Sequence, residues 1–441
     1  MITWTLVLIG GMIIANAFIG KGTILYPPFA FTCIWFLVIS FYASGIVEMY
    51  SLHAITYICI TLACLAFTCG GTAAFLLPDW TVRSRFPLWS REQSTGTGRK
   101  TLLLLLLFFF PIYLFLLHRI GTSAGSFSLA NVKASQVAAL TGEASEQSTL
   151  ATLYPLFVLW TALILYLEKS DRASTLAIFT SFIVSLLSGG RTIVLQLIIS
   201  IAYTYLIRTG KNSIRKGYKI VLIAGGGFLA LASALVFFVK NMEEVGNDAS
   251  TALQFYVLGY VVSGLGPLDY VLTHPAEYLH TPHHTFKFLL QFGAALGLDT
   301  NPPPVLDQYL WIPFPTNVYT MLKPYITDFG FYGMLASIFI LALIQVAFYR
   351  RALQGNRLSI LLSGLLFYAT ILSFFDDLYV QVKNFGLPIL LAIFYFGVLN
   401  QIKFRNPIQW SLQNKKAPYR ICDIHFTLFQ RWPKDTKARW L

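Results

Sequence analysis

Charge is scarce in this chain: 12% of its 441 residues are Asp, Glu, Lys or Arg, while 56% are apolar. A soluble domain carries roughly 25% charge, so there is too little polar surface to clothe a water-soluble body of this size. Acids are the scarcer sign, 19 against 32 Lys and Arg, which leaves a formal net charge of +13. Thiols are few and badly placed for cross-linking. Cys33, Cys59, Cys64 and Cys69 fall in apolar runs and Cys422 lies near the end, which excludes a secreted disulfide scaffold and a Cys-based metal site. The sequence also has no internal repeat and no low-complexity tract.

What it has instead is long apolar runs with almost no charge. Windows of about 19 residues place spans near 2–20, 23–47, 54–77, 101–118, 151–167, 173–190, 192–208, 219–239, 330–349, 358–376 and 384–402. The expected fold is therefore all-α: a polytopic integral membrane protein of about eleven transmembrane helices. The first run lacks the charged start and small-residue cleavage site of a removed signal peptide, and reads as a membrane helix.

Basic residues resist translocation and so report sidedness. With the C-terminus inside, the cytoplasmic set is Lys21, the 78–100 loop, Lys169, Arg172, the 208–219 loop, the 350–357 loop and the tail from 403. That set holds 25 of the 32 Lys and Arg and 6 of the 19 acids, so the cytoplasmic side carries +19 and the other side −6. Topology accounts for the basic balance, and no nucleic-acid partner is needed to explain it.

The expected organisation is an N-terminal membrane bundle of about eight helices over 1–239, a large non-cytoplasmic loop over 240–329, about three further membrane helices over 330–402, and a basic cytoplasmic tail over 403–441. Trp410, Trp432 and Trp440 suit that tail to a membrane surface. The large loop holds 9 of the 19 prolines and 4 of the 7 histidines, and a loop of this length is usually functional rather than a connector. Its LQFYVLGYVVSGLGPL run, 253–268, would reverse the sidedness of everything before it if it crossed the membrane. It is expected as an interfacial or loop helix.

Several residues are placed for chemistry on the non-cytoplasmic side. Arg191, in SLLSGGRTIVLQ, follows Gly189 and Gly190 at a tight turn and opens a helix. A guanidinium there offers a fork to phosphate and adds to the positive end of the helix, although an Arg at a span's edge also snorkels to headgroups. Arg119 ends the fourth span beside His118, and Lys133 follows in the 119–150 segment; these offer a second cationic patch or a membrane anchor. The run NVYTMLKPYITDFGFYGML brings Asn317, Tyr319, Lys323, Tyr325 and Asp328 to the start of a span. Such polar and aromatic groups suit a glycan, while a helix cap and an aromatic belt explain them equally. His280, His283 and His284 lack the acidic or thiol partners of a metal site, and His283 or His284 suits a general base or a phosphate partner. Asp376 and Asp377 form an acidic pair at the outer end of the tenth span, suited to a divalent ion, a proton or a base, or simply to stopping the helix.

Taken together, SGGRT, YVVSGLGPLDYVL and PTNVYTMLKPYITDFGFYGML resemble the Wzy-type polymerases of bacterial O-antigen and capsule repeat units, over most of residues 180–400. The resemblance implies a glycosyltransferase of the bacterial inner membrane with a periplasmic active face and undecaprenyl-diphosphate-linked oligosaccharides as substrates. It implies no cofactor and no metal, and a chain-length regulator membrane protein as a further partner. Arg191, with Arg119, would neutralise the departing diphosphate, and His283, His284 or Asp328 would take the proton from the attacking hydroxyl. Lys133, Asn317, Tyr319, Lys323 and Tyr325 would bind substrate. Some relatives carry Gly eleven positions after a loop Arg; Arg119 and Arg191 do not. The alternatives are an O-antigen ligase, which shares the layout, and a lipid-linked oligosaccharide flippase or transporter. The last would line its spans with charge and show repeated halves, whereas here the spans are clean.

Overall fold

The computed structural model describes residues 1–76, 96–122, 131–132, 146–168, 171–187, 191–210, 259–275, 283–295, 297–298, 309–312, 315–379 and 395. The expected spans at 219–239 and, but for Tyr395, 384–402, the basic tail, Lys133, Gly189, Gly190 and His280 lie outside them. The described elements are α1 (Ile2–Ile19), α2 (Pro27–Ala43), α3 (Ala54–Leu76), α4 (Gly96–Gly121), α5 (Glu146–Glu168), α6 (Arg172–Leu187) and α7 (Arg191–Thr209). These are followed by α8 (Gly259–Val262), α9 (Leu265–Thr273), α10 (Lys287–Ala295), β1 (Leu310–Trp311), β2 (Pro315–Thr316), α11 (Leu322–Leu353) and α12 (Arg357–Ile371). Among the described residues helices therefore dominate, with one two-stranded antiparallel ladder pairing Leu310 with Thr316 and Trp311 with Pro315.

Among the described residues, α1, α3, the Arg99–Gly121 part of α4, and α11 are long and apolar enough to cross a membrane. The chain is a membrane protein on that ground. Shorter apolar helices cover Pro27–Ala43, Tyr154–Leu167, Arg172–Leu187, Ile193–Thr209 and Arg357–Ile371. Local chemistry sets several helix starts. Pro27 and Pro28 occupy the first turn of α2, where a missing N–H costs nothing. Asn356 accepts from the Ser359 N–H at 2.9 Å to cap α12. Asp171 accepts from the Ser174 N–H at 3.1 Å, while Ser174 Oγ accepts from the Asp171 N–H at 2.9 Å, a reciprocal cap at the start of α6.

The α3–α11 pair is the spine of the N-terminal core. The two helices run parallel, since Ile55 shares a cavity with Ile326 and Gly330 at one end and Arg350 donates to the Ala74 carbonyl at the other. That is the relative direction the charge pattern requires. Gly70 makes the close approach possible: a Cβ there would lie 2.2 Å from the Phe339 carbonyl oxygen. Small residues at such crossings gain dispersion contacts that lipid cannot match. Phe31 of α2 stacks on Phe67 of α3 at 4.2 Å between centroids. Asn16 is fully buried in α1, and its side-chain Nδ2 donates to Thr68 Oγ1 at 2.9 Å and to the Pro28 carbonyl at 3.3 Å, while its Oδ1 has no hydrogen-bond partner.

Two findings refine the expected outline. Over its described part the 253–268 run is helical, as a loop helix would be, but in two pieces. It forms α8 and α9 joined at Ser263–Gly264, and Val262, Leu265, Leu268 and Val271 enter the same buried cluster as α2, α3 and α11. Helix continuity also begins before residue 330: α11 starts at Leu322 and is interrupted at Gly330, whose φ of 70° and ψ of −175° belong to glycine alone. The Leu322–Phe329 turns thus dock as a separate short helix before the long apolar stretch.

Candidate functional site

The end of the large loop folds into the bundle and brings three pairs of residues together. Tyr319 is buried, and its ring lies 4.0 Å from Nζ of the buried Lys323. A cation held over an aromatic face is stabilised by the ring quadrupole, more so when desolvated. Asn317, just after β2, stays half-exposed.

The second pair joins the histidine segment to α11. Residues 283–286 form a turn leading into α10, with His283 exposed and His284 half-buried. Asp328 accepts from the main-chain N–H of His284 at 3.3 Å and from that of Thr285. Asp328 is therefore neither a cap for the helix that follows it nor a free base. Its carboxylate is engaged by two donors just before α10, an arrangement that ties the loop to α11.

The third pair is Tyr325 and Asp377, both buried. Beyond the end of α12, Asp377 Oδ1 accepts from the Tyr379 N–H at 3.0 Å, while Oδ2 has no hydrogen-bond partner. The Tyr325 hydroxyl is near enough to act on that carboxyl without completing a hydrogen bond. Burial first, and then the charge of Asp376, push Asp377 up to about 8, against the opposing pull of the Tyr379 N–H and the Tyr325 hydroxyl. Next to it, Tyr379, Thr370 and Gln345 close a buried triangle: Gln345 Nε2 to Thr370 Oγ1 at 2.6 Å, Thr370 Oγ1 to Tyr379 OH at 2.7 Å, and Tyr379 OH to Gln345 Oε1 at 3.1 Å. The Met321 N–H donates to the Ser373 carbonyl at 2.9 Å and pins the start of α11 to the end of α12.

No family model, curated protein or solved structure matches the chain. Its function must therefore be argued from these residues.

The cationic candidates are placed less fully. Arg119 is exposed in the last turn of α4, where a cation also complements the helix dipole. Arg191 is the first residue of α7, as its motif predicts; its side chain, like Lys133, lies outside the described set. No cluster of three or more metal-ligating side chains occurs among the described residues.

Sequence reading missed one constellation. His53 precedes α3, and both its main-chain N–H and its Nδ1 lie 2.8 Å from the carboxylate oxygens of Asp269 on α9. Thr56 Oγ1 donates to the same carboxylate. Nothing in the local sequence around His53 signals this, because its partner lies 216 residues away.

Proposed function

We propose that this membrane protein is a polymerase that joins undecaprenyl-diphosphate-linked oligosaccharide repeat units into a surface polysaccharide at the periplasmic face of a bacterial inner membrane. The observation that carries the reading is the polar and aromatic site at the kinked start of α11. Tyr319 with Lys323, Tyr325 with Asp377, and Asp328 with the His284 turn are gathered where a long apolar helix begins. A substrate with a sugar head and a lipid-borne diphosphate needs such groups at the membrane surface. Tyr319, Lys323 and Tyr325 are buried and hold the segment together, while Asn317 is half-exposed and open to a sugar hydroxyl.

The reaction moves the growing glycan from its lipid diphosphate to a hydroxyl of the incoming unit. The acceptor oxygen bonds to the anomeric carbon, the bond from that carbon to the diphosphate breaks, and negative charge collects on the leaving group. Arg191 and Arg119 are assigned to that charge. Lys133 and the half-exposed Asn317 are assigned to substrate binding, the buried Tyr319, Lys323 and Tyr325 to holding the segment that carries Asn317, and a chain-length regulator membrane protein is the further partner.

The deciding experiment is a lipopolysaccharide gel from a gene-null strain and from the same strain complemented. A polymerase null leaves core carrying a single repeat unit, and the gene restores the ladder. Bare core with polymer held on the lipid carrier would assign a ligase instead, and repeat units trapped on the cytoplasmic side a flippase. In the complemented strain, Arg191→Ala should remove the ladder with the protein still inserted.

A further inference from the structure

The geometry points to His53 as the catalytic base of the transfer, with Asp269 as the residue that positions it. This rests on the polymerase reading and names a residue pair that the reading does not contain.

The arrangement exceeds what helix capping requires. One oxygen of Asp269, Oδ1, accepts from the His53 main-chain N–H at 2.8 Å and from the Thr56 side-chain hydroxyl, and so ties the start of α3 to α9. The other, Oδ2, is spent on the imidazole, 2.8 Å from Nδ1. Asp269 is 13% exposed, while the His53 side chain is 67% exposed. A carboxylate on Nδ1 holds the proton on that nitrogen and leaves the Nε2 lone pair facing outward. That is the tautomer a general base needs, and the carboxylate compensates the positive charge the ring gains as it takes a proton.

The setting suits the substrate. His53 immediately precedes a membrane-crossing helix, which places it at headgroup level beside the loop that ends at α11. The same three elements line a half-open apolar recess of about 140 Å³, formed by Ile55, Val271, Leu272, Ile326, Gly330 and Phe331, with Pro275. Ile55 follows His53 by two positions, and Val271 follows Asp269 by two. An apolar recess beside a proton acceptor fits a substrate whose diphosphate carries a hydrocarbon chain. In the transfer, His53 Nε2 takes the proton of the acceptor hydroxyl as its oxygen bonds to the anomeric carbon, and the lipid diphosphate departs with the electron pair of the broken bond. Of the other base candidates, Asp328 is held by two main-chain donors.

The test uses the complemented null strain, together with purified full-length protein acting on lipid-linked repeat units extracted from that strain. His53→Gln should leave core with a single repeat at normal protein levels and slow extension about 100-fold or more, because Oδ1 of Asp269 still ties α3 to α9. His53→Ala should regain extension on addition of imidazole. Asp269→Asn should lower kcat with little change in KM. A full ladder from His53→Gln, with the wild-type gene active, overturns the inference and leaves the polymerase reading intact. Loss without imidazole rescue reduces His53 to a structural role. Failure of the wild-type gene to restore the ladder removes the polymerase reading and this inference with it.

Discussion

Asp328 accepts a hydrogen bond from the main-chain N–H of His284 at 3.3 Å, across 44 residues of sequence. Together with the neighbouring donor on Thr285, this makes the carboxylate a tether between the histidine turn and α11. Its importance is conformational: the turn that carries His283 and His284 is tied to α11 by this carboxylate, beside the edge-on contact of the Phe286 and Phe329 rings.

Asp328→Asn should therefore loosen that turn. An amide replaces one acceptor oxygen with a donor and opposes an N–H, and a charge-assisted contact of this kind is worth roughly 1.5–3 kcal/mol. Hydrogen exchange over 283–295 in detergent micelles should accelerate while α3 stays protected. Unchanged exchange there would show that other contacts hold the turn.

Gly330 occupies a backbone region closed to side chains, with φ 70°. Gly330→Ala should cost about 1–3 kcal/mol and lower the thermal midpoint of the purified protein. The substitution also alters the lining of the cavity shared with Ile55 and Val271. A midpoint equal to wild type would mean that the interruption of α11 is not required for folding.

The α3–α11 contact makes a sharper comparison. A Cβ at Gly70 would lie 2.2 Å from the Phe339 carbonyl, a backbone atom, whereas one at Gly11 would meet nothing within 4 Å. Gly70→Ala should force the helices apart and destabilise by roughly 1–3 kcal/mol. Gly11→Ala should be neutral or slightly stabilising, since it removes only backbone freedom. Equal midpoints for the two variants would contradict the close packing.

Asp377 predicts a pH dependence of stability. Its folded carboxyl is pushed up to about 8, above the ordinary 3.8, so the native state keeps a proton that the unfolded chain releases. The contribution to stability is complete below the unfolded value, declines as pH rises, and is lost above about 8. Asp377→Asn should flatten this slope and raise the midpoint most at pH above neutral. A thermal-shift series from about pH 4 to 9 on the two proteins, showing parallel curves, would sink the assignment.

The membrane class, the helical content and the relative direction of helices are legible in the chain itself. They depend on local composition: a stretch of apolar residues must bury its backbone polarity in its own hydrogen bonds, and clustered Lys and Arg stay on one side. Arg191 at a helix start was readable for the same reason, from GGR before an apolar run. The pairings were not. Tyr319 and Lys323 stand four residues apart, yet their stacking depends on burial that periodicity does not report. Asp377 suited an ion, a proton, a base or a helix stop equally, and its unpartnered oxygen follows from its burial beyond the end of α12, next to Tyr325 of α11. His53 and Asp269 meet only because α9 sinks into the core beside α3 instead of lying on the surface. Hydropathy is a property of each segment alone, whereas a carboxylate aimed at an imidazole 216 residues away is a product of how the segments pack.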